Sequence, residues 1–220
     1  MKQTIADHAA RFSEAAADYD DEQNSEEYEA CAGLVIRRAA PGETDTVLDL
    51  GTGTGAIALA LSADAGRVVG RDVSEGMLEQ AREKAEDRGV ETVELGYGEF
   101  RAPEYDGEAQ IVTSNFALHH LADEQKREAI ETWADLDGGT TPSRSDTVGP
   151  RRIVLGDVMF FGEPDPEEPF YSPEVDDPAT VGTLVDYFTD AGYAVTQVDR
   201  VHDQVGVITA ERVVSGGRES

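Results

Sequence analysis

The chain has 220 residues, a length that suits one compact domain with a full hydrophobic core. Asp and Glu number 46 against 18 Lys and Arg, which gives a formal net charge of −28. A chain this acidic, with no basic patch, is not expected to bind a nucleic-acid backbone.

The first part of the chain predicts helices, then strands and helices in alternation. Residues 5–38 carry apolar side chains at helical spacing and predict one or two helices. After a break at residues 41–45, apolar runs predict buried strands at residues 46–50, 67–73, 91–98, 109–116 and 151–160. Helices are predicted at residues 54–62, 75–88 and 123–136, the second with Ser74 as N-cap and Gly89 as its stop. Apolar strands that alternate with helices are typical of a parallel sheet covered on both faces.

The C-terminal part predicts a different arrangement. A last helix is predicted to begin with an Asp177 cap and Pro178 as its first residue, and to end at Gly192. Two β runs in residues 193–213 meet near residues 202–204, too close for a crossover helix, so they must be antiparallel. Two polar segments with prolines are predicted loops: residues 138–150, a surface excursion, and residues 162–178, either a solvated connector or part of an active-site mouth.

The segment TVLDLGTGTGAIALAL, residues 46–61, places three glycines between a buried strand and a helix. Glycines at this point let the backbone turn sharply and approach a ligand near a helix N-terminus. Because Ala56 follows, the run also satisfies the GxGxxA pattern of dinucleotide-binding proteins. Asp72 lies 21 residues after Gly51, at the end of the second strand, where a carboxylate accepts hydrogen bonds from ribose hydroxyls.

Asp49 distinguishes between the possible nucleotide ligands. It precedes the first glycine by two residues, where an acid would repel a pyrophosphate. A ligand with a positive group suits this position better, and S-adenosylmethionine carries an ammonium and a sulfonium but no phosphate.

Several segments together resemble the class I S-adenosylmethionine-dependent methyltransferases. VLDLGTGTG resembles the first motif of this family, and VVGRDVSEGMLEQAREK resembles its second strand and following helix. GYGEF, IVTSNFALHHL and the closing helix and hairpin are similar to later parts of the family fold. The resemblance covers residues 40–213 and extends to a group of small bacterial methyltransferases with no established substrate. It implies a Rossmann-like, doubly wound sheet of seven strands, mostly parallel with an antiparallel C-terminal hairpin and helices on both faces.

The resemblance also implies which residues bind S-adenosylmethionine. Gly51, Gly53 and Gly55 line its methionine moiety, Asp49 lies near its amino group, and Asp72 binds its ribose hydroxyls.

The remaining implied contacts are with the adenine and the reacting end. Val73 and Met77 flank the adenine, Glu99 accepts a hydrogen bond from its amino group, and Phe100 packs on the ring. Asn115, at the end of the fourth strand, faces the methionine end or the substrate. The sequence departs from the family pattern at three positions, none of which removes a required group: Arg71, Glu99 and Asp137.

Methyl transfer needs an aligned nucleophile, and a general base only when the acceptor must lose a proton. His119 and His120 are the candidate catalytic residues; the alternative is a packed loop with a structural imidazole. No third ligand follows nearby, so no metal site is predicted there. Tyr19 and Tyr28 either cover the cofactor or belong to helices that pack on the sheet edge.

The sequence therefore predicts a methyltransferase that uses S-adenosylmethionine and acts on a small molecule by in-line displacement. The chain is predicted to be one domain, with a helical cap at residues 1–40 and a core at residues 44–213, and to act as a monomer or homodimer. The alternatives are a catalytically inactive S-adenosylmethionine-binding regulator or partner subunit of the same fold, and an NAD-dependent oxidoreductase.

Composition predicts the compartment. The acidic residues are spread along the whole chain, and in roughly molar salt a Debye length of about 3 Å removes most of their repulsion, so we interpret the surface as adapted to a high-salt cytoplasm. The alternative is an acidic surface for a basic partner. Cys31 is the single cysteine, so no internal disulfide is expected, and neither a secretion signal nor a membrane span is predicted.

Overall fold

The computed structural model describes residues 4–23, 25–139, 149–163 and 170–213. The helices are α1 (Ile5–Ala15), α2 (Tyr19–Glu22), α3 (Glu26–Ala39), α4 (Ala56–Leu61), α5 (Glu75–Asp87), α6 (Asp123–Ala134) and α7 (Val181–Asp190). The strands are β1 (Thr46–Leu50), β2 (Arg67–Asp72), β3 (Val93–Tyr97), β4 (Ile111–Asn115), β5 (Arg152–Phe160), β6 (Ala179–Thr180), β7 (Tyr193–His202) and β8 (Val205–Arg212). A single 3₁₀ turn, Leu118–His120, follows β4.

The strands form one sheet in the order β3-β2-β1-β4-β5-β8-β7, and the two-residue β6 pairs with the end of β5. Strands β1 to β5 run parallel, whereas β8 is antiparallel to both of its neighbours. The predicted seven-stranded, mostly parallel sheet with an antiparallel C-terminal hairpin is confirmed, with β6 as a short addition. The strand order reverses between β1 and β4, and ligands of such sheets bind outside the carboxyl ends of the strands at that point.

Two hydrophobic cores cover the two faces of the sheet. Neighbouring residues of β1 point to opposite faces, as the pleat of a strand requires: Val47 packs in the core with α3 and α4, and Leu48 in the core with α6 and α7. Trp133 and Ile130 of α6 are fully buried in the second of these cores. In the part of the chain with assigned structure, no helix is long and apolar enough to cross a membrane.

The N-terminal helices differ from the prediction. Three helices, not one or two, occupy residues 5–39. The last of them begins where the Ser25 hydroxyl accepts a hydrogen bond from the Tyr28 N–H at 3.1 Å, which makes Ser25 an N-cap.

The predicted start of α7 is wrong, whereas the ends of α5 are confirmed. Thr180, not Asp177, caps α7, and its hydroxyl accepts from the Thr183 N–H at 3.1 Å. Pairing of Ala179–Thr180 with β5 keeps the backbone extended beyond Pro178. Ser74 caps α5 through the Met77 N–H, and Gly89 follows it with φ +64°. The predicted excursion at residues 138–150 lies mostly outside the described residues, as do residues 164–169 of the second predicted loop.

Candidate cofactor and active site

A cavity opens where β1, β2 and β4 end. Its floor includes residues of the glycine loop after β1, the end of β2 and the segment after β4. We call α1 and α2 the roof, because Ile5, His8, Phe12 and Tyr19 from these helices close the cavity from above. Tyr28 of α3 also lines it. The cavity therefore lies at the point where the strand order reverses.

The glycine loop has a backbone that only glycine adopts easily. Gly51, Gly53 and Gly55 have φ of +69°, +52° and +83°. The Gly51 and Thr52 N–H groups donate to the Arg71 carbonyl at 2.9 and 3.1 Å, which ties the loop to β2. A Cβ on Gly51 would lie 2.6 Å from the Ala117 Cβ, whereas a Cβ on Gly53 would meet no atom within 4 Å.

This contrast predicts different results for two alanine substitutions. Gly51→Ala combines a strained φ with a steric clash and should lower the free energy of unfolding by about 2–4 kcal/mol. Gly53→Ala adds only the strain, about 1–2 kcal/mol, but places a methyl group in the cavity and should weaken ligand binding. Urea unfolding in concentrated KCl measures the first effect and calorimetric titration the second. Equal unfolding midpoints for the two variants would contradict the predicted clash.

Asp72 shapes the loop from the end of β2. Its Oδ2 accepts from the Gly53 N–H at 2.8 Å and its Oδ1 from the Ser74 N–H at 2.9 Å. Burial raises the pKa of this carboxyl above its ordinary value. A carboxylate has about four lone-pair sites, so Asp72 keeps capacity for donors that enter the cavity.

Asp49 is the second carboxyl group of the floor. Its oxygens accept from the Thr52 and Thr113 hydroxyls at 2.6 and 2.7 Å. The residue is fully buried, and this burial raises its pKa to about 6. A cationic ligand group beside Asp49 would favour the ionised form.

Asn115 presents an unused hydrogen-bond donor to the cavity. Its Oδ1 accepts from the Cys31 thiol at 3.4 Å. Its Nδ2 is buried and makes no hydrogen bond within the described residues, which is costly unless a ligand accepts it. Burial also raises the pKa of the Cys31 thiol, which disfavours the reactive thiolate form.

The residues that are predicted to contact the adenine also lie together at the cavity. Val73, Met77, Glu99 and Phe100 all line the cavity. Glu99 accepts from the Tyr97 hydroxyl at 2.8 Å, and the Phe100 ring lies 5.9 Å from the ring of Trp133.

The predicted cofactor residues thus meet at one site, with one exception. Gly55 does not line the cavity; it begins α4, where a Cβ would approach Ala81. The unusual Arg71 turns away from the site, and its guanidinium donates to Glu94 at 2.7 Å.

The two adjacent histidines have different surroundings. His119 is buried outside the cavity lining, and its Nδ1 lies 2.5 Å from Asp157 Oδ1. His120 lines the cavity, and its Nδ1 lies 2.6 Å from Asp176 Oδ1. Burial lowers the pKa of His120 to about 4, so its imidazole is neutral at neutral pH. Because a carboxylate only accepts, Nδ1–H faces Asp176 and the proton-free nitrogen is Nε2.

Lys126 connects the segments that carry His120 and Asp176. Its buried ammonium donates to the Leu121 carbonyl at 2.7 Å and to the Asp177 carbonyl. Each carbonyl belongs to the residue that directly follows a member of the His120–Asp176 pair. Sequence reasoning found neither Lys126 nor the two aspartates, because only folding brings them to the histidines.

The histidines also bear on the predicted absence of a metal. His119, His120 and Asp176 each offer one potential ligand atom, and these atoms lie within 4.8 Å of one another. No third ligand is predicted from the sequence near the histidines. Asp176, which lies on a loop remote in sequence, provides a potential one. The absence of a bound metal stays a prediction.

Polar contacts hold the roof closed. The Thr54 hydroxyl donates to Asp20 at 2.6 Å, and Lys84 forms an ion pair with the same carboxylate. The Ser13 and Ser74 hydroxyls lie 2.9 Å apart. The roof is thus tied to the glycine loop and to the start of α5.

The chain is similar to proteins that are described as methyltransferases. Residues 47–136 match a family described as Methyltransferase domain. Over 116 residues the chain is 36% identical to the uncharacterized methyltransferase YcgJ of Bacillus subtilis, a match that spans 52% of this chain and 46% of that protein. The crystal structure of YcgJ is similar with a TM-score of 0.61 at 25% identity, over 78% of this chain and 71% of that one.

Over residues 47–136, the chain is therefore similar to methyltransferase domains. Two solved structures share the fold of the chain at lower identity. The DhpI complex with S-adenosylhomocysteine has a TM-score of 0.68 at 21% identity, over 96% of this chain and 98% of that one. A chain of the complex that contains the Haloferax volcanii Trm112 methyltransferase activator has a TM-score of 0.71 at 20% identity, over 92% and 98%.

Proposed function

We propose that the protein transfers the methyl group of S-adenosylmethionine to a small molecule by in-line displacement. The observation that carries this proposal is the pair of carboxyl groups at neighbouring strand ends in one cavity, the buried Asp49 and the half-buried Asp72. A diphosphate would face both of them, whereas an ammonium and a ribose would each gain a partner. The floor therefore favours S-adenosylmethionine over NAD.

The residues present fit the cofactor. Asp72 would hold the ribose hydroxyls, Asp49 the ammonium, and Glu99 the adenine amine, with Phe100 on the ring. Gly53 leaves open space for the methionine moiety, and the unpartnered Asn115 Nδ2 would donate to it or to the acceptor. When bound, S-adenosylmethionine supplies an electrophilic methyl group on a sulfonium.

The histidines complete the proposal. His120 would accept a proton from the acceptor, and Asp176 would fix its ring through Nδ1. His119 would not contact the acceptor. It would pack beside the cavity wall with its Nδ1 against Asp157. A neutral, oriented base at the cavity wall favours a catalyst over an inactive binder of the same fold.

The acceptor is proposed to be a small molecule rather than a nucleic acid. The net charge of −28 opposes a phosphate backbone. The protein is proposed to act as a monomer or a homodimer.

The affinity for S-adenosylmethionine should depend on the ionisation of Asp49. Because its pKa in the unliganded protein is about 6, the affinity should fall about tenfold between pH 7 and pH 5. The stability of the unliganded protein should have the opposite pH dependence. Because folding raises the pKa of Asp49, protonation of this carboxyl stabilises the fold, and this contribution to the free energy of unfolding disappears as the pH rises through about 6. Titrations from pH 7 to pH 5 measure the affinity, with Asp49→Asn as the control that should flatten the profile. A wild-type profile as flat as that of the variant would contradict the assignment.

Calorimetric titration in concentrated KCl tests the proposed function. S-adenosylmethionine and S-adenosylhomocysteine should bind, and NAD should not. Saturable binding of NAD alone would overturn the proposal in favour of an oxidoreductase. Binding of both sulfur compounds without release of S-adenosylhomocysteine for any acceptor in a broad panel would favour the inactive regulator.

A further inference from the structure

Aromatic rings form one part of the cavity wall. We define the aromatic wall as Phe12, Tyr19, Tyr28, Phe116 and His120, all of which line the cavity. The Phe12 ring lies 5.2 Å from His120 and 6.3 Å from Tyr19, and the Tyr28 ring lies 5.1 Å from Phe116. Rings at such spacings make a site suited to a planar aromatic molecule.

The ring of His119, which does not line the cavity, connects the His120 and Phe116 rings of the aromatic wall. His119 lies 4.0 Å from His120 and 6.5 Å from Phe116, between ring centroids. The rings come from α1, α2, α3 and the segment after β4, so the wall exists only when the roof is closed over the sheet.

The charges of the cavity wall disfavour an anionic acceptor. Its described acids are Asp49, Asp72 and Glu99, and its one described Lys or Arg is Arg101. Arg101 is already paired, since its Nη1 donates to Glu128 at 2.6 Å. The Arg11 guanidinium lies 4.6 Å from the centroid of the Phe12 ring but does not line the cavity. A carboxylate or phosphate on the acceptor would therefore lose its hydration without gaining a cation from the lining.

Polar atoms within the aromatic wall indicate where the reactive group lies. His120 keeps Nε2 available because Asp176 occupies Nδ1. The His8 ring lies 5.5 Å from the His120 ring, and its buried Nδ1 has no partner among the described residues. Both imidazoles line the cavity, so a hydroxyl group placed beside them would find a proton acceptor next to the aromatic rings.

We propose that the methyl acceptor is an uncharged aromatic molecule with a ring hydroxyl, bound against the aromatic wall and methylated on oxygen. This inference rests on the proposed methyltransferase function. The hydroxyl gives its proton to His120 Nε2, and the oxygen forms a bond to the methyl carbon. The carbon–sulfur bond breaks, its electron pair stays on sulfur, and the products are an aryl methyl ether, S-adenosylhomocysteine and a proton on His120.

Matched acceptors on one skeleton test the proposal. Naphthol, naphthylamine, naphthoate and decahydronaphthol are titrated into the full-length protein in concentrated KCl, with and without S-adenosylhomocysteine. Naphthol should bind at least about 100-fold more tightly than naphthoate, because the carboxylate has no cation to meet. It should also bind about three- to tenfold more tightly than decahydronaphthol, which has no ring to stack. Turnover with S-adenosylmethionine should give the methyl ether by mass spectrometry.

Other outcomes would overturn the inference. Equal affinity for naphthoate would refute the charge argument, and preferred methylation of naphthylamine would replace the hydroxyl by an amine. Loss of turnover in EDTA, restored by a divalent cation, would assign His119, His120 and Asp176 to a metal instead of a base. Failure of S-adenosylmethionine to bind would overturn the proposed function, while the naphthol and naphthoate titrations would still decide the acceptor class.

A pair of variants separates the wall from general stability. Phe12→Leu keeps an apolar side chain but removes one ring, so naphthol affinity should fall about three- to tenfold. Tyr171→Leu is the control, because that ring contacts Phe160 outside the cavity and should leave naphthol affinity unchanged. Equal losses in both variants would mean that the wall does not bind the acceptor.

Discussion

Asp72→Ala is expected to lower the affinity for S-adenosylmethionine by about 100- to 1000-fold. A hydrogen bond to a charged group contributes about 1.5–3 kcal/mol, and Asp72 accepts from Gly53 and Ser74 and would also accept from the ribose. The variant therefore loses both the ligand contact and the support of the glycine loop. Calorimetric titration with S-adenosylmethionine and S-adenosylhomocysteine should show the same loss for both.

The control for this variant removes an equal charge elsewhere. Asp87 is exposed at the end of α5, and Asp87→Ala should leave both affinities unchanged. Asp72→Asn keeps the shape of the side chain and should give an intermediate loss. An affinity of Asp72→Ala within threefold of the wild type would show that the ribose does not bind there.

His120→Asn is expected to lower kcat by about 100- to 10,000-fold, the usual contribution of a general base. The loss should appear in kcat at saturating S-adenosylmethionine, because His120 lies at the aromatic wall and not at the proposed cofactor contacts. The measurement is release of S-adenosylhomocysteine with the acceptor that the panel identifies. Since the pKa of His120 is about 4, the wild-type rate should not fall between pH 8 and pH 6, where an ordinary histidine takes up its proton.

His119→Asn is the matched comparison. This substitution removes the imidazole partner of the buried Asp157 carboxylate, which keeps the backbone N–H donors of residues 119 and 158, and should lower the free energy of unfolding by about 1–3 kcal/mol. Its effect on kcat should be much smaller than that of His120→Asn. If His119→Asn reduces kcat as strongly while His120→Asn does not, the assignment of the base is reversed.

The sequence is most informative where structure is local. The strand, glycines and helix of residues 46–61 form one continuous unit, and Asp72 follows at a fixed spacing, so their meeting could be predicted. The capping of α5 by Ser74 depends on neighbours within a few residues and was predictable for the same reason.

Contacts between remote segments could not be predicted in this way. Asp157 and Asp176 reach the histidines across 38 and 56 residues, and Lys126 holds a carbonyl 51 residues away. The start of α7 was predicted wrongly because the pattern of Asp177 and Pro178 is locally a good helix start, and pairing with β5 overrides it. At the histidines and at the start of α7, contacts between remote segments determine the structure, and local sequence preference does not.

Helix α1 of the roof buries fewer side chains than α3, which packs against the sheet. No residue of α1 is fully buried, whereas α3 buries Cys31, Val35 and Ala39 against the sheet. Segments with few buried apolar contacts open at a small fraction of the global unfolding free energy. Amide protons of α1 should therefore exchange with deuterium well before those of α3. Partial opening of one helix would give small molecules a route into the interior while both cores remain intact.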